Sequence, residues 1–234
     1  MTLNELITKV NYRRRDTTES FVSNDEITNY LNEALYKINR TINADYNIRS
    51  QNFSYTDGTT SYVISTIITL NDFKGPYELS YPSNLDYKFT PVSVSDFRKL
   101  SGNNVNIYAI QGNTMYIKTS FGSATLQMTY YSDYMCYDAV VLGWRKDLSN
   151  LTDYPLMPEV YQDILVDYAA ARCYQKEGLL DDYKVAINDF NKGMKDMKAD
   201  YPMSVDKPRN RMVMGAQFSY GDGDLVTKSN PLGT

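Results

Sequence analysis

The stretch that decides the fold is residues 160–194, VYQDILVDYAAARCYQKEGLLDDYKVAINDFNKGM. Apolar residues recur at every third or fourth position on both sides of Gly178, which is the spacing of two amphipathic helices. Gly178 suits the left-handed residue that ends the first helix, and Asp181 and Asp182 suit the first turn of the second, where carboxylates meet the positive end of the helix dipole. We therefore predict a tight helical hairpin, with Pro158 at the first position of its first helix.

Two further helices are predicted at the start of the chain. Thr2 with Glu5, and Ser23 with Glu26, have the spacing of a capping box, in which each side chain bonds the backbone N–H of the other residue. After the second box, apolar residues follow one helical stripe as far as Ile42. Because neither pair of helices has enough apolar surface to be stable alone, we expect the first two helices to pack on the hairpin.

The first helix ends in three consecutive arginines, Arg13, Arg14 and Arg15. Cations in the last turn of a helix interact favourably with the negative end of its dipole, and this is the interpretation that we prefer. The alternative is a contact with phosphates or with an acidic partner.

The apolar period changes to two between about residues 50 and 138, which indicates β-structure. The predicted elements are a hairpin at 52–65 turning at Asp57-Gly58, a short helix or turn at 95–100, a hairpin at 106–119 turning at Gln111-Gly112-Asn113, and a strand at 124–134. Short turns with glycine between alternating strands are typical of hairpins. Residues 139–157 are predicted to be a long connection, with Trp144 as its packing anchor.

These elements together predict an α+β fold. A four-helix bundle, made of two N-terminal and two C-terminal helices in residues 1–47 and 158–200, carries a small antiparallel β-rich insertion and connecting loop in residues 48–157. An extended C-terminal arm follows at 201–234. The arm lacks periodicity but keeps a few possible anchors for a protein partner, which are Lys207, Arg209, Arg211, Met212, Val213, Met214, Phe218 and Tyr220.

The composition makes several classes of function improbable. The chain has no histidine among its 234 residues, which removes histidine general bases and most zinc sites, and no nucleotide-binding glycine motif is present. A net charge of −4 is unlike that of a freely exposed nucleic-acid binder. Cys136 and Cys173 have no nearby partner and are expected to be free thiols. With no apolar run that could span a bilayer and no signal peptide, we expect no membrane partner. Because histidine and any catalytic motif are missing, we expect no enzymatic activity, no cofactor and no metal.

Four segments, in this order, resemble the head-to-tail connector family of tailed bacteriophages, whose members are adaptor or head-completion proteins. The opening helix with its arginine-rich end (2–18), the helix SNDEITNYLNEALYKI (23–38), the hairpin and strand of 97–134 with its YAI-x-G sequence, and MPEVYQDILVDYAAARCYQKEG (157–178) carry the resemblance. It covers roughly residues 1–200, so it carries over nothing about the arm.

The resemblance implies a structural protein of the virion neck, made in the host cytoplasm. Family members form a ring, commonly of twelve copies, between the portal protein and the tail or nozzle, and the ring lines the channel through which duplex DNA passes. Two other functions stay open. One is another tail-completion or neck component, and the other is a DNA-binding module that uses the basic clusters at 13–15 and 207–211.

Overall fold

The computed structural model describes residues 1–15, 21–68, 72–100, 105–120 and 122–201, with the backbone alone at 84–86. The helices are α1 Leu3–Arg14, α2 Asn24–Thr41, α3 Ile64–Ile67, α4 Val94–Lys99, α5 Asp163–Glu177 and α6 Leu180–Asp200, with 3-10 turns at Asp45–Asn47 and Glu159–Tyr161. The strands are β1 Ile48–Tyr55, β2 Ser61–Val63, β3 Phe73–Tyr81, β4 Asn84–Lys88, β5 Thr90–Pro91, β6 Ile107–Gln111, β7 Thr114–Lys118, β8 Ala124–Ser132, β9 Cys136–Asp138, β10 Gly143–Arg145 and β11 Tyr154–Pro155.

The predicted fold class is wrong, because the β-structure is far more than a small insertion into a helical bundle. The described residues contain six α-helices and 11 strands in three sheets, and about 44% of them are helical and 28% are in strands. This is a mixed α/β fold. The described residues form two compact units, a helical unit of residues 1–47 and 132–201 and a sheet unit of residues 48–131.

The helical unit is built around α5, which contacts α1, α2 and α6. One hydrophobic core joins these four helices to residues of the 132–157 segment. Ala169 and Ala170 of α5 are fully buried, and Gly193 of α6 lies so close to Ile164 that a Cβ added at the glycine would be 2.7 Å from the Ile164 Cγ1. Small side chains therefore let the helices approach closely.

The helix ends follow the local signals in the sequence. Both predicted capping boxes, Thr2 with Glu5 and Ser23 with Glu26, are formed, and Gly178 ends α5 in the left-handed conformation with φ 77°. Pro158, however, does not begin the third helix. It precedes the 3-10 turn Glu159–Tyr161, and α5 starts only at Asp163.

The sheet unit contains two four-stranded sheets, in the orders β1-β8-β3-β4 and β2-β7-β6-β5. The predicted hairpin at 106–119 is confirmed, since β6 pairs with β7 and Gly112 has a φ of 60° at the turn. The predicted hairpin at 52–65 is wrong. Its first half, β1, pairs with β8, and its second half, β2, pairs with β7, so the turn at Asp57-Gly58 connects two different sheets.

The sheet unit has a hydrophobic core of its own. In the sheet unit, Leu126, Met128 and Tyr130 of β8 alternate onto one buried face, as the sequence predicts, and the same core contains several tyrosines and isoleucines. The predicted short helix before β6 is present as α4. The strands thus enclose an apolar core of their own, as a separately packed layer of structure must.

Candidate interaction surfaces

Residues 136–155, predicted to be mostly an irregular connection, form a three-stranded antiparallel sheet in the order β10-β9-β11. Its register places Trp144, Tyr137 and Tyr154 side by side on one face. The ring centroids of Tyr137 and Trp144 are 5.5 Å apart, and those of Tyr137 and Tyr154 are 5.2 Å apart. We call these three residues the aromatic row. Trp144 is 43% exposed and Tyr154 is 40% exposed, so the prediction that Trp144 is a packing anchor is wrong.

The turn between β9 and β10 carries three exposed apolar side chains, which we call the apolar tip. Val140, Val141 and Leu142 are 69%, 66% and 73% exposed. Leu142 has a φ of 54°, a left-handed conformation that costs a non-glycine residue about 1–2 kcal/mol. Such backbone strain persists only where the surrounding structure holds it, and it is concentrated at functional sites.

The buried carboxylate of Asp138 holds the apolar tip in place. Its Oδ1 accepts hydrogen bonds from the backbone N–H of Val140 at 2.8 Å and of Val141 at 3.0 Å. Its Oδ2 lies 2.6 Å from Nη2 of Arg145 and accepts a 3.4 Å hydrogen bond from Asn150. The Val141 N–H, followed by the other donors and Arg145, lowers the pKa of the Asp138 carboxyl, although burial opposes the shift.

The small sheet is fixed to the helices of the same unit. The Asn32 side chain of α2 exchanges two hydrogen bonds with the backbone of Leu148, at 3.0 and 2.9 Å. The first N–H of α1, at Leu3, donates to the carbonyl of Asp153 at 2.7 Å. Hydrogen bonds within the same unit therefore hold the backbone of the small sheet and of the apolar tip.

A protein partner is the ligand that suits this surface. Burying a valine or leucine side chain is worth about 1.5–3 kcal/mol, and exposed tryptophan and tyrosine are the residues that most often dominate protein interfaces. Contiguous apolar surface of this kind marks interaction sites on soluble proteins. The sequence signal was AVVL at 139–142 between two short strands, but strand pairing is needed to show that these residues form a hairpin turn.

Two of the three arginines at the end of α1, Arg13 and Arg14, form ion pairs inside the helical unit. Arg13 pairs with Asp167 of α5 and, at 2.6 Å, with Asp189 of α6. The buried Arg14 side chain pairs with Glu177 at the end of α5. Both guanidinium groups thus bind carboxylates of this chain, which disfavours the alternative in which they contact phosphates.

The other predicted site residues fall into two groups. The arm anchors Lys207, Arg209, Arg211, Met212, Val213, Met214, Phe218 and Tyr220 lie outside the described residues. Cys136 and Cys173 are free and buried, as predicted, and burial raises the pKa of the Cys173 thiol to about 12. Across the described ranges, no group of three or more metal-ligating side chains occurs. No described helix combines the length and apolar character that a membrane span requires.

Comparison with known proteins adds an independent observation. None of the curated proteins compared with the chain matches it significantly. The sequence profile of the SU10 adaptor protein family, in contrast, matches residues 1–213. That range covers both compact units, including the small sheet with its exposed surface, and extends into the predicted arm. The match confirms the resemblance found in the sequence: the chain belongs to the SU10 adaptor protein family, a family of phage head-tail adaptors.

Proposed function

We propose that this protein forms an adaptor ring between the portal and the tail of a tailed phage, and that the ring lines the channel for duplex DNA. Membership of a family of phage structural adaptors implies that the chain is a virion component that contacts other head or tail proteins. The portal, the ring of about twelve copies and the position in the neck are our inferences from the family resemblance.

The observation that carries the proposal is the apolar tip with the adjacent aromatic row. Val140, Val141 and Leu142 are exposed on a strained turn that Asp138 fixes, and Trp144 is exposed on the same small sheet. An adaptor needs a surface that is preorganised for another protein, because preorganisation reduces the conformational entropy lost on binding. We assign this surface to a contact with another virion protein.

The C-terminal arm is proposed as a second contact. Residues 202–234 contain basic residues followed by apolar anchors such as Met212, Val213 and Phe218. Ordering some thirty residues costs on the order of 1–2 kcal/mol for each, so we expect the arm to dock only where a partner buries its anchors. The portal or the next adaptor subunit is the partner that we propose.

Assembly with purified portal tests the function directly. We expect the protein alone to sediment as a monomer or weak oligomer and to form a ring when portal is added, visible by negative-stain electron microscopy. A discrete dimer that ignores the portal, or a preparation in which no ring appears, would contradict the proposal.

A variant of the apolar tip tests the observation on which the proposed function rests. Val140→Ser, Val141→Ser and Leu142→Asn together remove the apolar surface, and asparagine tolerates the left-handed conformation. The variant should keep the wild-type circular dichroism and melting temperature but lose capture of portal or of tail protein. Val160→Ser, an exposed valine outside the tip, is the matched control. If the tip variant captured portal and tail protein as well as the wild type does, the apolar tip would not be part of either contact.

Truncation after Tyr201 tests the arm separately. The truncated protein should retain its helix content and melting temperature while failing to join the portal. Full incorporation of the truncated form into virions would refute the docking role, and an unfolded product would show that the arm belongs to the core.

A further inference from the structure

The solvent-exposed surface of α6 separates its charges by sign. At 100° per residue, Lys184, Lys195 and Lys198 lie along one edge of the helix, roughly 150° from the opposite edge. That opposite edge carries four exposed aspartates, Asp182, Asp189, Asp196 and Asp200. We call the two edges the lysine flank and the aspartate flank. The buried residues Ala186, Phe190, Met194 and Met197 point away from both flanks.

Several of these charges have no counter-ion within the described chain. Lys195 and Lys198, as well as Asp182 and Asp196, make no ion pair or hydrogen bond with any described residue. Lys184 pairs at 3.0 Å with the highly exposed Asp181, an arrangement that contributes little. The other two aspartates are engaged, since Asp189 binds Arg13 and Asp200 accepts a hydrogen bond from Tyr161.

This distribution differs from that of an ordinary solvated helix. Exposed helices commonly place opposite charges three or four residues apart, where they attract each other. In α6, Lys192 has this spacing with Asp189 and Asp196, but within the flanks Lys195 and Lys198 are three apart and Asp196 and Asp200 are four apart, so like charges are neighbours along each flank. Neighbouring like charges repel each other within the isolated subunit, whereas a second surface of opposite charge would stabilise each flank.

A neighbouring copy of the same chain offers both complementary surfaces. In a ring, each subunit contacts its neighbours through two different faces, and one face must be complementary to the other. In a ring of about twelve copies, the directions from one subunit to its two neighbours differ by about 150°. This angle matches the separation of the two flanks on α6. Helices spaced by about 10 Å in such a ring would surround an opening about 28 Å wide, which admits a DNA duplex.

We propose that α6 forms the subunit contact of the ring, with the lysine flank of one copy against the aspartate flank of the next. The inference rests on the proposed function and specifies its partner surface. The buried side of α6 then faces outward to its own subunit, and the strip between the flanks faces the channel. That strip contains Asp181, Val185, Asn188, Lys192 and Ala199. Its near-neutral charge lets DNA pass without strong retention, because each phosphate contact adds attraction.

Charge reversal on one flank at a time tests the contact. The first variant, Lys195→Asp with Lys198→Asp, makes both flanks acidic. The second, Asp182→Lys with Asp196→Lys, replaces the two unpaired aspartates of the other flank with lysines, so that the unpaired charges of both flanks are basic. Each variant alone should show at least about a tenfold loss of ring formation on the portal, because like charges then meet at every subunit contact. Mixing the two variants in equal amounts should restore rings, since acidic and basic subunits can alternate.

The matched control for the first variant is Arg98→Asp with Lys99→Asp, which makes the same change in net charge but at the exposed end of α4. It should assemble as the wild type does, and all variants should retain wild-type circular dichroism. Raising the salt concentration should weaken wild-type assembly, because exposed charges are screened.

The outcomes separate the two proposals. If wild-type protein forms rings on the portal and both reversal variants do so equally well, the α6 contact is wrong while the adaptor ring stands. If the lysine-flank variant assembles normally but binds less duplex DNA, the flank is a phosphate contact, and the inference is likewise overturned. If no ring forms even with wild-type protein, the proposed function itself fails.

Discussion

The helical unit and the sheet unit differ in whether their secondary-structure elements are specified by neighbouring or by distant residues, and in where they place some of their ion pairs. The ends of α1, α2 and α5 follow from residues within one turn of the end, such as Thr2 with Glu5. In the sheet unit, Ile48 pairs with Tyr131 at the far end of the unit's sequence. Helical structure can therefore be read locally from this chain, whereas strand pairing depends on contacts between distant residues.

The two units also differ in how exposed some of their ion pairs are. In the helical unit, ion pairs connect the helices at their rims, as between Lys176 of α5 and Glu26 of α2 at 2.6 Å. In the sheet unit, the fully buried Asp72 lies 3.1 Å from Arg49 and accepts a 2.9 Å hydrogen bond from Tyr130. The Lys176–Glu26 pair of the helical unit is partly exposed, whereas the Arg49–Asp72 pair of the sheet unit is enclosed in its interior.

The largest expected effect comes from truncating one core leucine in each unit. Leu35 of α2 and Leu126 of β8 are both fully buried. We expect Leu35→Ala and Leu126→Ala each to lower the free energy of unfolding by about 3 kcal/mol, the sum of lost burial and the cavity that remains. Urea unfolding measures the loss, and hydrogen exchange locates it in one unit.

The exposed residue Val185 provides the control, since Val185→Ala should change stability by less than about 0.5 kcal/mol. If each leucine variant weakens amide protection equally in both units, the two units unfold together, and the comparison between them does not extend to stability.

The next effect concerns the buried charge in the sheet unit. Asp72→Asn removes the negative charge but keeps the shape, leaving Arg49 with a neutral acceptor. We expect a loss of about 2 kcal/mol in the free energy of unfolding, because hydrogen bonds to charged groups are the stronger ones. Glu78→Gln, which breaks the exposed pair with Lys88, should cost much less. Equal losses in the two variants would show that burial does not strengthen the Asp72 cluster.

A smaller effect is expected where α5 and α6 pack closely. Gly193→Ala should reduce stability by about 1–2 kcal/mol, because overpacking against Ile164 outweighs the higher helix propensity of alanine. Combining it with Ile164→Ala should cost less than the sum of the two single changes. Gly75→Ala in the sheet unit has open space around it and is the control. If the stability losses of Gly193→Ala and Ile164→Ala were strictly additive, the contact between these two residues would tolerate a methyl group.

The smallest effect is a pH dependence of the helical unit. Burial raises the pKa of Asp167 to about 6 from 3.8, with Arg13 opposing the shift and Asp189 adding to it. The folded state therefore binds more protons than the unfolded state between these values, so this group destabilises the fold above pH 6 and stops doing so as the pH falls.

Asp167→Asn removes this dependence. On lowering the pH from 7.5 to 4.5, the wild type should gain about 1 kcal/mol in unfolding free energy relative to the variant. Parallel pH profiles for wild type and Asp167→Asn would show that the pKa of Asp167 is close to its ordinary value.

The sequence predicted the individual helices and strands better than the way in which they pack and pair. The four long helices, the hairpin at 106–119, the β8 strand and the short α4 helix were predicted correctly, but the fold class, the hairpin at 52–65, the start of α5 and the role of Trp144 were not. The fold class and the hairpin at 52–65 depend on which distant strands pair, whereas the start of α5 and the exposure of Trp144 involve residues nearby in the sequence. The turn at Asp57-Gly58, for example, is a turn as predicted, yet its two strands enter different sheets.

By itself, the sequence determined the capped starts of α1 and α2, the end of α5 at Gly178, the buried stripe of α2, the free cysteines and the adaptor family, because capping, periodicity and motif order are properties of neighbouring residues. Only the tertiary structure decided that Arg13 and Arg14 bind carboxylates of this chain, and that Val140, Val141 and Leu142 are exposed on a fixed turn. An apolar side chain favours burial and a charged side chain favours an ion pair. Whether either finds it depends on which distant residues the fold brings into contact.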